Sequence, residues 1–326
     1  MSSRAVLLPA IGDPVLSRLW LRQYEMHLKD YIDTLYVVLN SSINEEVMDY
    51  TQSLFEEAGV IVARHSQMTS HGAALKELFD DSAEQNLLLL EDDCFVLDGE
   101  MVDRLFRGLE KDEFDLAGSP RMSCSPELAD IAAAKWDLKY HGLGDKGCSF
   151  WPNCFFVKRK DLLKTDLNFD SIAFPEGTEL FGHVLKEEAR GDTMVWLSLQ
   201  LRNLGLRIRE IPQYHCQTDD MRDYYSREGI FDGYAPWIHT GSSSSLQGLL
   251  DPKAVFKVNT VPEAMEIERR LSWWVVAYEM FKDDLPETVK KHCDSQHSNL
   301  LTLIRISGLS QTRMNGLIRA YRGLVQ

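Results

Sequence analysis

Long apolar runs are missing from this chain of 326 residues. The hydrophobic stretch in MSSRAVLLPAIGDP is broken by Pro9 and Gly12, too short for a signal-peptide core or a membrane span. The next candidate, WWVVAY from Trp273 to Tyr278, is closely bracketed by charge. No membrane partner is expected, and the expected location is cytoplasmic. Cysteine pairs are missing too: Cys94, Cys124, Cys148, Cys154, Cys216 and Cys293 contain no CxxC and no regular spacing. That argues against a zinc ribbon and a disulfide framework, and reduced, mostly buried thiols are expected. Low-complexity and disordered compositions are absent, since 44% of residues are hydrophobic and 26% charged, ordinary values for a globular chain. The chain has no basic excess either, and its net charge of −15 would repel a polyanion if spread over the whole surface.

The charge is not evenly spread. Residues 286–326 hold six basic side chains (Lys290, Lys291, Arg305, Arg313, Arg319, Arg322) against Glu287 and Asp294, a net +4 that leaves the remainder at −19, and no acid follows Asp294.

What the first half does contain is an alternation of strand-length apolar runs with helical patterns, the mark of βα units and a mostly parallel sheet. AVLLPA predicts a strand, and PVLSRLWLRQYEMHLKD a helix entered through Asp13-Pro14. LYVVLNSS is a second strand, EEVMDYTQSLFEEAG a helix closed by Gly59, VIVARH a short strand and HGAALKELFDDSAEQ a helix. LLLLEDDCFVL reads as a buried strand running into acid. DLAGSPR and FWPNCFFVKR are expected strands, the latter leading into the helix KDLLKT. GDTMVWLSLQLRNLG predicts an amphipathic helix from Asp192 to Gly205, followed by the strand LRIREIP. HTGSSSS is a loop. From Pro262 the pattern is helical: PEAMEIERRLSWWVVAYEMF, PETVKKH and a pair around Gly308. A boundary is expected near residue 255, giving an α/β domain over residues 1–255 and a small helical region over residues 256–326.

Four leucines ahead of Glu91, Asp92 and Asp93 place three acids at the carboxyl end of a strand, where open α/β sheets bind ligands. Those carboxylates would repel a nucleotide diphosphate. A hard divalent cation between them resolves the conflict, since carboxylate oxygens hold Mg²⁺ or Mn²⁺ and the metal neutralises diphosphate oxygens. The bland alternative is a solvated strand end. His239, in WIHTGSSSS, lies in a segment rich in small polar residues whose backbone N–H groups suit phosphate, and imidazole joins carboxylate around Mn²⁺.

The acidic cluster resembles the DxD-type motif of GT-A glycosyltransferases, a Rossmann-like α/β fold that uses nucleotide sugars. The resemblance implies Asp93 as metal ligand, Asp92 or Glu91 as the helper on ribose or a metal-bound water, with Glu91 also a candidate metal ligand, and His239 as a further ligand. It implies Gly241 and Ser242 near the diphosphate, Pro9 and Ala10 beside the nucleotide, and Gly72 and Lys76 in the segment approaching the donor. Lys76 reads equally as an exposed helix lysine. It also implies Asp192 as the general base, in an acid-helix-strand segment. Asp192 alternatively reads as an N-cap, and Glu176 and Glu179 are weaker candidates. The cofactors implied are Mn²⁺ or Mg²⁺ and a UDP-sugar.

LLTLIRISGLSQTRMNGLIRAY reads as helix, glycine turn, helix, with features of helix-turn-helix and helix-hairpin-helix modules. Arg305, Gln311, Thr312, Arg313, Asn315 and Arg319 are its candidate DNA contacts. The alternative is a helical pair that packs on the catalytic domain or makes a dimer. Together the two halves resemble phage and base-J-type glycosyltransferases of hydroxymethylpyrimidines in DNA, which implies DNA as acceptor and a flipped or exposed base. Trp151, Trp196 and Trp237 are then candidate stacking platforms, or core. Two other readings stay open: a glycosyltransferase acting on a protein, glycan or small molecule, and an inactive DNA-binding or interaction protein.

Overall fold

The structure, a computed structural model, describes residues 2–40, 44–121, 123–138, 147–211, 237–239 and 274–306, with the backbone alone for 121, 238, 239 and 299–306. Strand β1 (Arg4–Ala10) is buried almost throughout, as a run of Ala, Val and Leu becomes when both faces of a parallel sheet are covered. It pairs in parallel with β2 (Thr34–Leu39) and β4 (Asn86–Leu89), while β3 (Ile61–Arg64) extends the sheet beyond β2. The connections are helices α1 (Pro14–His27), α2 (Glu45–Glu57) and α3 (His71–Asp81). On the other side β9 (Phe155–Lys158) runs antiparallel to both β4 and β6 (Leu116–Gly118), and β14 (Ile208–Glu210) runs parallel to β6. The result is a seven-stranded sheet of order β14-β6-β9-β4-β1-β2-β3, mostly parallel and flanked by helices, as the sequence predicts.

Alternation along β1 separates two cores. Val6 and Leu8 face one side with α1, α2 and α4 (Gly99–Glu110), whereas Ala5 and Leu7 face the other with α3 and α7 (Val195–Asn203). Each fully buried leucine or phenylalanine stabilises the fold by about 1.5–3 kcal/mol. A third apolar cluster joins α5 (Pro126–Trp136) to α7 and to the β-ribbon of β10 (Ile172–Phe174) with β13 (Ala189–Gly191). Arg4 ties the start of β1 to α4, its guanidinium donating to both carboxylate oxygens of Glu110 at 2.7 and 2.9 Å and to Asp103 at 2.8 Å.

Local chemistry moves several boundaries. LLLLEDDCFVL is two strands, because Cys94 N–H donates to the Glu91 carbonyl at 3.0 Å and closes a turn over the acids; charges cannot continue a doubly buried strand. The second piece, β5 (Cys94–Val96), leaves the main sheet and pairs antiparallel with β15 (Trp237–His239). FWPNCFFVKR divides likewise, since Pro152 lies between β8 (Ser149–Phe150) and β9 and cannot serve a ladder as donor. Helix α7 begins at Val195 rather than Asp192, behind Met194 in the left-handed region at φ 68°. The Asp192 carboxylate accepts from Thr193 N–H and does not cap that helix. Helices α4 and α5 are additions to the sequence reading. At Gly59, with φ 77°, α2 ends as predicted, glycine being the residue for a left-handed exit.

Residues 274–281 are helical (α8), and PETVKKH and LLTLIRI are one continuous helix, α9 (Glu287–Ile306). No glycine or proline interrupts residues 287–306, so nothing local stops it. This pair packs on the first half: Trp274, Val276, Val289 and Cys293 belong to the same core as α1 and α2. The Trp274 indole donates to Asp13 at 3.0 Å, and Tyr278 donates to Asp294 at 2.5 Å and stacks on His297. No helix among the described residues is long and apolar enough to cross a membrane.

Candidate functional site

The carboxyl ends of β1, β2, β3 and β4 share one edge of the sheet, and the segments leaving them are cross-linked by polar side chains. After β1, Ile11 N–H donates to Asp92 Oδ2 at 2.8 Å, which fixes the acidic turn against the exit of the central strand. Asp13, fully buried, caps α1 by accepting from Val15 and Leu16 N–H at 3.1 and 3.0 Å. Burial pushes its carboxyl up, while these N–H groups and the Trp274 indole oppose the shift. After β2, Asn40 is buried; its side chain donates to the Thr69 carbonyl at 3.0 Å and accepts from Thr69 N–H at 2.8 Å. His65, after β3, meets Asn40 through Nδ1 and Glu77 through Nε2, at 3.2 and 2.5 Å.

The acidic turn sits at the centre of this edge. Asp92 and Asp93 are 4% and 3% exposed, which is far below the ordinary exposure of a carboxylate and demands compensation for the lost hydration. Glu91 is partly exposed and its Oε1 lies 3.8 Å from His71 Nδ1 at the first turn of α3. The pairing of β5 with β15 is in register so that His239 stands opposite Cys94, the residue after Asp93. Direct antiparallel partners have Cα atoms about 4.5–5.5 Å apart. Two positions remote in sequence, 93 and 239, are therefore brought to one corner of the sheet by backbone hydrogen bonding. The Cys94 thiol donates to the Asn153 carbonyl, and burial followed by the charges of Cys154, Glu91 and Asp93 pushes it up.

The donor set suits a hard or borderline cation: carboxylate oxygens from one turn and an imidazole-bearing position on the paired strand are what Mg²⁺ and Mn²⁺ accept. Among the described side chains, which exclude that of His239, no three His, Cys, Asp or Glu groups form a metal-holding set.

The other sequence candidates fall as follows. Pro9 and Ala10 end β1 at this edge, both buried, and Ala10 carbonyl accepts from Asn40 N–H at 2.7 Å. Gly72 is in the first turn of α3, where a Cβ would lie 2.4 Å from the Asp170 backbone, so close packing alone excludes a side chain there. Lys76, one turn on, is held by Asp80 at 2.6 Å on the outer face of α3, the situation of an exposed helix lysine. Asp192 is exposed, directly after β13, with its N–H donating to the Ser123 carbonyl at 2.8 Å. Glu176 and Glu179 are exposed beside the hairpin of β11 (Glu179–Leu180) and β12 (His183–Val184). Trp237 is core, at 2% exposure, and Trp196 donates its indole N–H to Asp166 at 2.7 Å while packing on Phe174 and Phe181. Trp151 is half-buried beside β8. Gly241, Ser242, Gln311, Thr312, Arg313, Asn315 and Arg319 lie outside the described residues, and Arg305 is placed in α9 by its backbone alone.

Asn40, His65 and His71 escape the sequence reading. Asn40 carries the same signal as Asp93, a polar side chain ending an apolar parallel strand, and His71 adjoins Gly72 at a helix start. His65 carries no such signal.

No family model matches the chain, and no curated protein does. Among solved structures it is similar to the mannosyltransferase PcManGT from Pyrobaculum calidifontis, in complex with GDP-Man and Mn²⁺, at 10% identity over 98% of this chain and 86% of that one, with a TM-score of 0.45. It is similar to TarS 1–349 of S. aureus at 10% identity over 99% and 90%, with a TM-score of 0.43. With glucosyl-3-phosphoglycerate synthase from Mycobacterium tuberculosis, in complex with Mn²⁺, UDP-Glc and phosphoglyceric acid, it shares 17% identity over 49% of this chain and 58% of that one, with a TM-score of 0.36.

Proposed function

We propose that this chain is a metal-dependent GT-A glycosyltransferase, moving a sugar from a nucleotide-sugar donor, UDP-linked in the first instance, to a hydroxyl acceptor. The observation that supports it most is the pairing of His239 with Cys94 beside Asp93, at the carboxyl edge of a mostly parallel sheet. Asp93, Glu91 and His239 would hold Mn²⁺ or Mg²⁺, whose chemistry is to neutralise the diphosphate and accept charge on the leaving group. Asp92, through its bond to Ile11 N–H, keeps the acidic turn in register with the Pro9-Ala10 end of β1, where the nucleotide would lie. The first turn of α3, at Gly72, would offer backbone N–H groups to phosphate oxygens, and Gly241 and Ser242, small residues after His239 in the sequence, would be further diphosphate contacts. Asp192 takes the proton of the acceptor hydroxyl as its oxygen bonds to the anomeric carbon and the sugar-diphosphate bond breaks.

The acceptor in this proposal is a hydroxymethylated pyrimidine base in DNA, as in the phage and base-J-type enzymes. Its support is the acid-free basic segment after Asp294, which suits phosphate contact on an otherwise acidic protein. The test is incubation with hydroxymethylated or unmodified DNA and a panel of donors including UDP-glucose and GDP-mannose, with and without Mn²⁺, followed by nucleoside mass analysis. Sugar on the hydroxymethylated base, dependent on Mn²⁺, is the expected result. Donor hydrolysis without DNA modification would move the acceptor to a protein, glycan or small molecule. Absence of hydrolysis with every donor would leave an inactive interaction protein.

A further inference from the structure

We propose that Cys124 and Cys148 are a redox-responsive dithiol whose disulfide staples the segment that holds Asp192. Their Sγ atoms are 3.1 Å apart, so a bond of about 2.05 Å needs an approach of only about 1 Å. The framework around them favours it. Strands β7 (Pro120–Arg121) and β8 pair antiparallel with Arg121 opposite Ser149, so the chain leaves β7 toward Cys124 at the end where Cys148 enters β8. The bond would close a loop containing the whole of α5.

The two sulfurs differ in chemistry. Cys148 is fully buried and Cys124 only partly so. Arg202, itself buried, donates to the carbonyls of Gly147 and Cys148 at 3.0 and 3.3 Å. The hydrogen bond from Cys124 and then the Arg202 charge hold the Cys148 thiol below its ordinary value, against its burial. Cys124, as the donor, is raised. Of this pair, then, Cys148 is the sulfur that ionises first. Burial pushes Cys94, Cys154 and Cys293 up instead, the behaviour of inert structural thiols.

The oxidant is a low-molecular-weight disulfide. The accessible Cys124 sulfur attacks it as its proton passes to the Cys148 thiolate 3.1 Å away, displacing one thiolate; that thiolate takes the proton from Cys148, and the Cys148 thiolate so re-formed attacks Cys124 Sγ and displaces the second thiol. Two S–H bonds of the protein become one S–S bond, and the oxidant's S–S bond becomes two S–H bonds, so protons and electrons balance. The consequence lies at Asp192. Its N–H donates to the carbonyl of Ser123, Cys124 bridges Gly191, and Ser125 N–H donates to the Arg190 carbonyl. Fixing Cys124 therefore restrains the residue proposed as general base, and the bond forms whether or not the chain transfers sugar.

The experiment equilibrates the full chain in a graded series of reduced and oxidised glutathione, alkylates remaining thiols and maps peptides by mass. A cross-linked pair of Cys124 and Cys148 peptides is expected, with Cys94, Cys154 and Cys293 alkylated. Cys148→Ser, nearly isosteric, should stop at a single glutathione adduct on Cys124. Hydrogen exchange at the Asp192 amide should slow by about tenfold on oxidation. Recovery of both cysteines as alkylated thiols at the oxidising end would overturn the proposal. A bond that left the Asp192 exchange rate unchanged would overturn the coupling to that residue.

Discussion

Three neighbouring acids at the end of β4 have different surroundings, and the differences set separate expectations. Asp92 is committed to Ile11 N–H and acts by holding the turn, whereas Asp93 is the residue next to the strand paired with His239. Asp93→Ala is expected to lower Mn²⁺-dependent donor hydrolysis by at least about a hundredfold, the loss of several kcal/mol of charge stabilisation, with the chain still unfolding cooperatively in urea. Steady-state hydrolysis and unfolding curves measured together check it. Asp13 is the structural counterpart: Asp13→Ala strands two helix N–H groups and the Trp274 indole in a dry core. It should cost about 3 kcal/mol in urea unfolding, and Asp13→Asn, which still accepts, distinctly less. Gly72→Ala meets the Asp170 backbone and should cost about 1–3 kcal/mol by the same measurement.

At the scale of elements, α9 depends on pH through His292 and His297. Burial lowers both, opposed by Asp13 at His292 and chiefly by Glu279 at His297. A histidine held below its ordinary value binds fewer protons folded than unfolded, so its stability contribution is intact above about pH 6.5 and is lost as pH falls through that value. Thermal unfolding midpoints should fall between pH 7.5 and 5.5. His297→Phe, which keeps a ring to stack on Tyr278, should flatten that decline. How far the sequence discloses elements follows from the same chemistry. The βα order of the first half is readable because both the strand runs and the helix caps are local signals, as with Asp13-Pro14 and Gly59. The break in LLLLEDDCFVL needs the knowledge that Cys94–Val96 finds a different partner, a contact with a strand far down the chain. The start of α7 is displaced because Met194 adopts a left-handed conformation that its type does not announce. Asp93 is legible as a strand-end acid. Asn40 carries the same signal less visibly, lacking charge, and His65 becomes noticeable only once β2, β3 and α3 are assembled.

Over the whole molecule, the opposition between an acidic body and a basic end takes a definite form. Helix α9 is anchored by Val289 and Cys293 in the core shared with α1 and α2, so removing all of residues 286–326 would take core with it. Residues 307–326 carry Arg313, Arg319 and Arg322 without an acid. Their deletion should spare donor hydrolysis and reduce the salt dependence of DNA binding by up to about 3 units of log–log slope, one per phosphate contact. Fluorescence anisotropy over a salt series measures it, and an unchanged slope would assign those arginines elsewhere. The sugar-transfer account itself rests on one shared ion. Electron spin-echo spectroscopy of Mn²⁺ added to the full chain with UDP reads its ligands directly. The account predicts a nitrogen coupling that disappears in His239→Ala, and loss of the bound Mn²⁺ signal in Asp93→Ala. Bound Mn²⁺ with the same spectrum in both variants would contradict it.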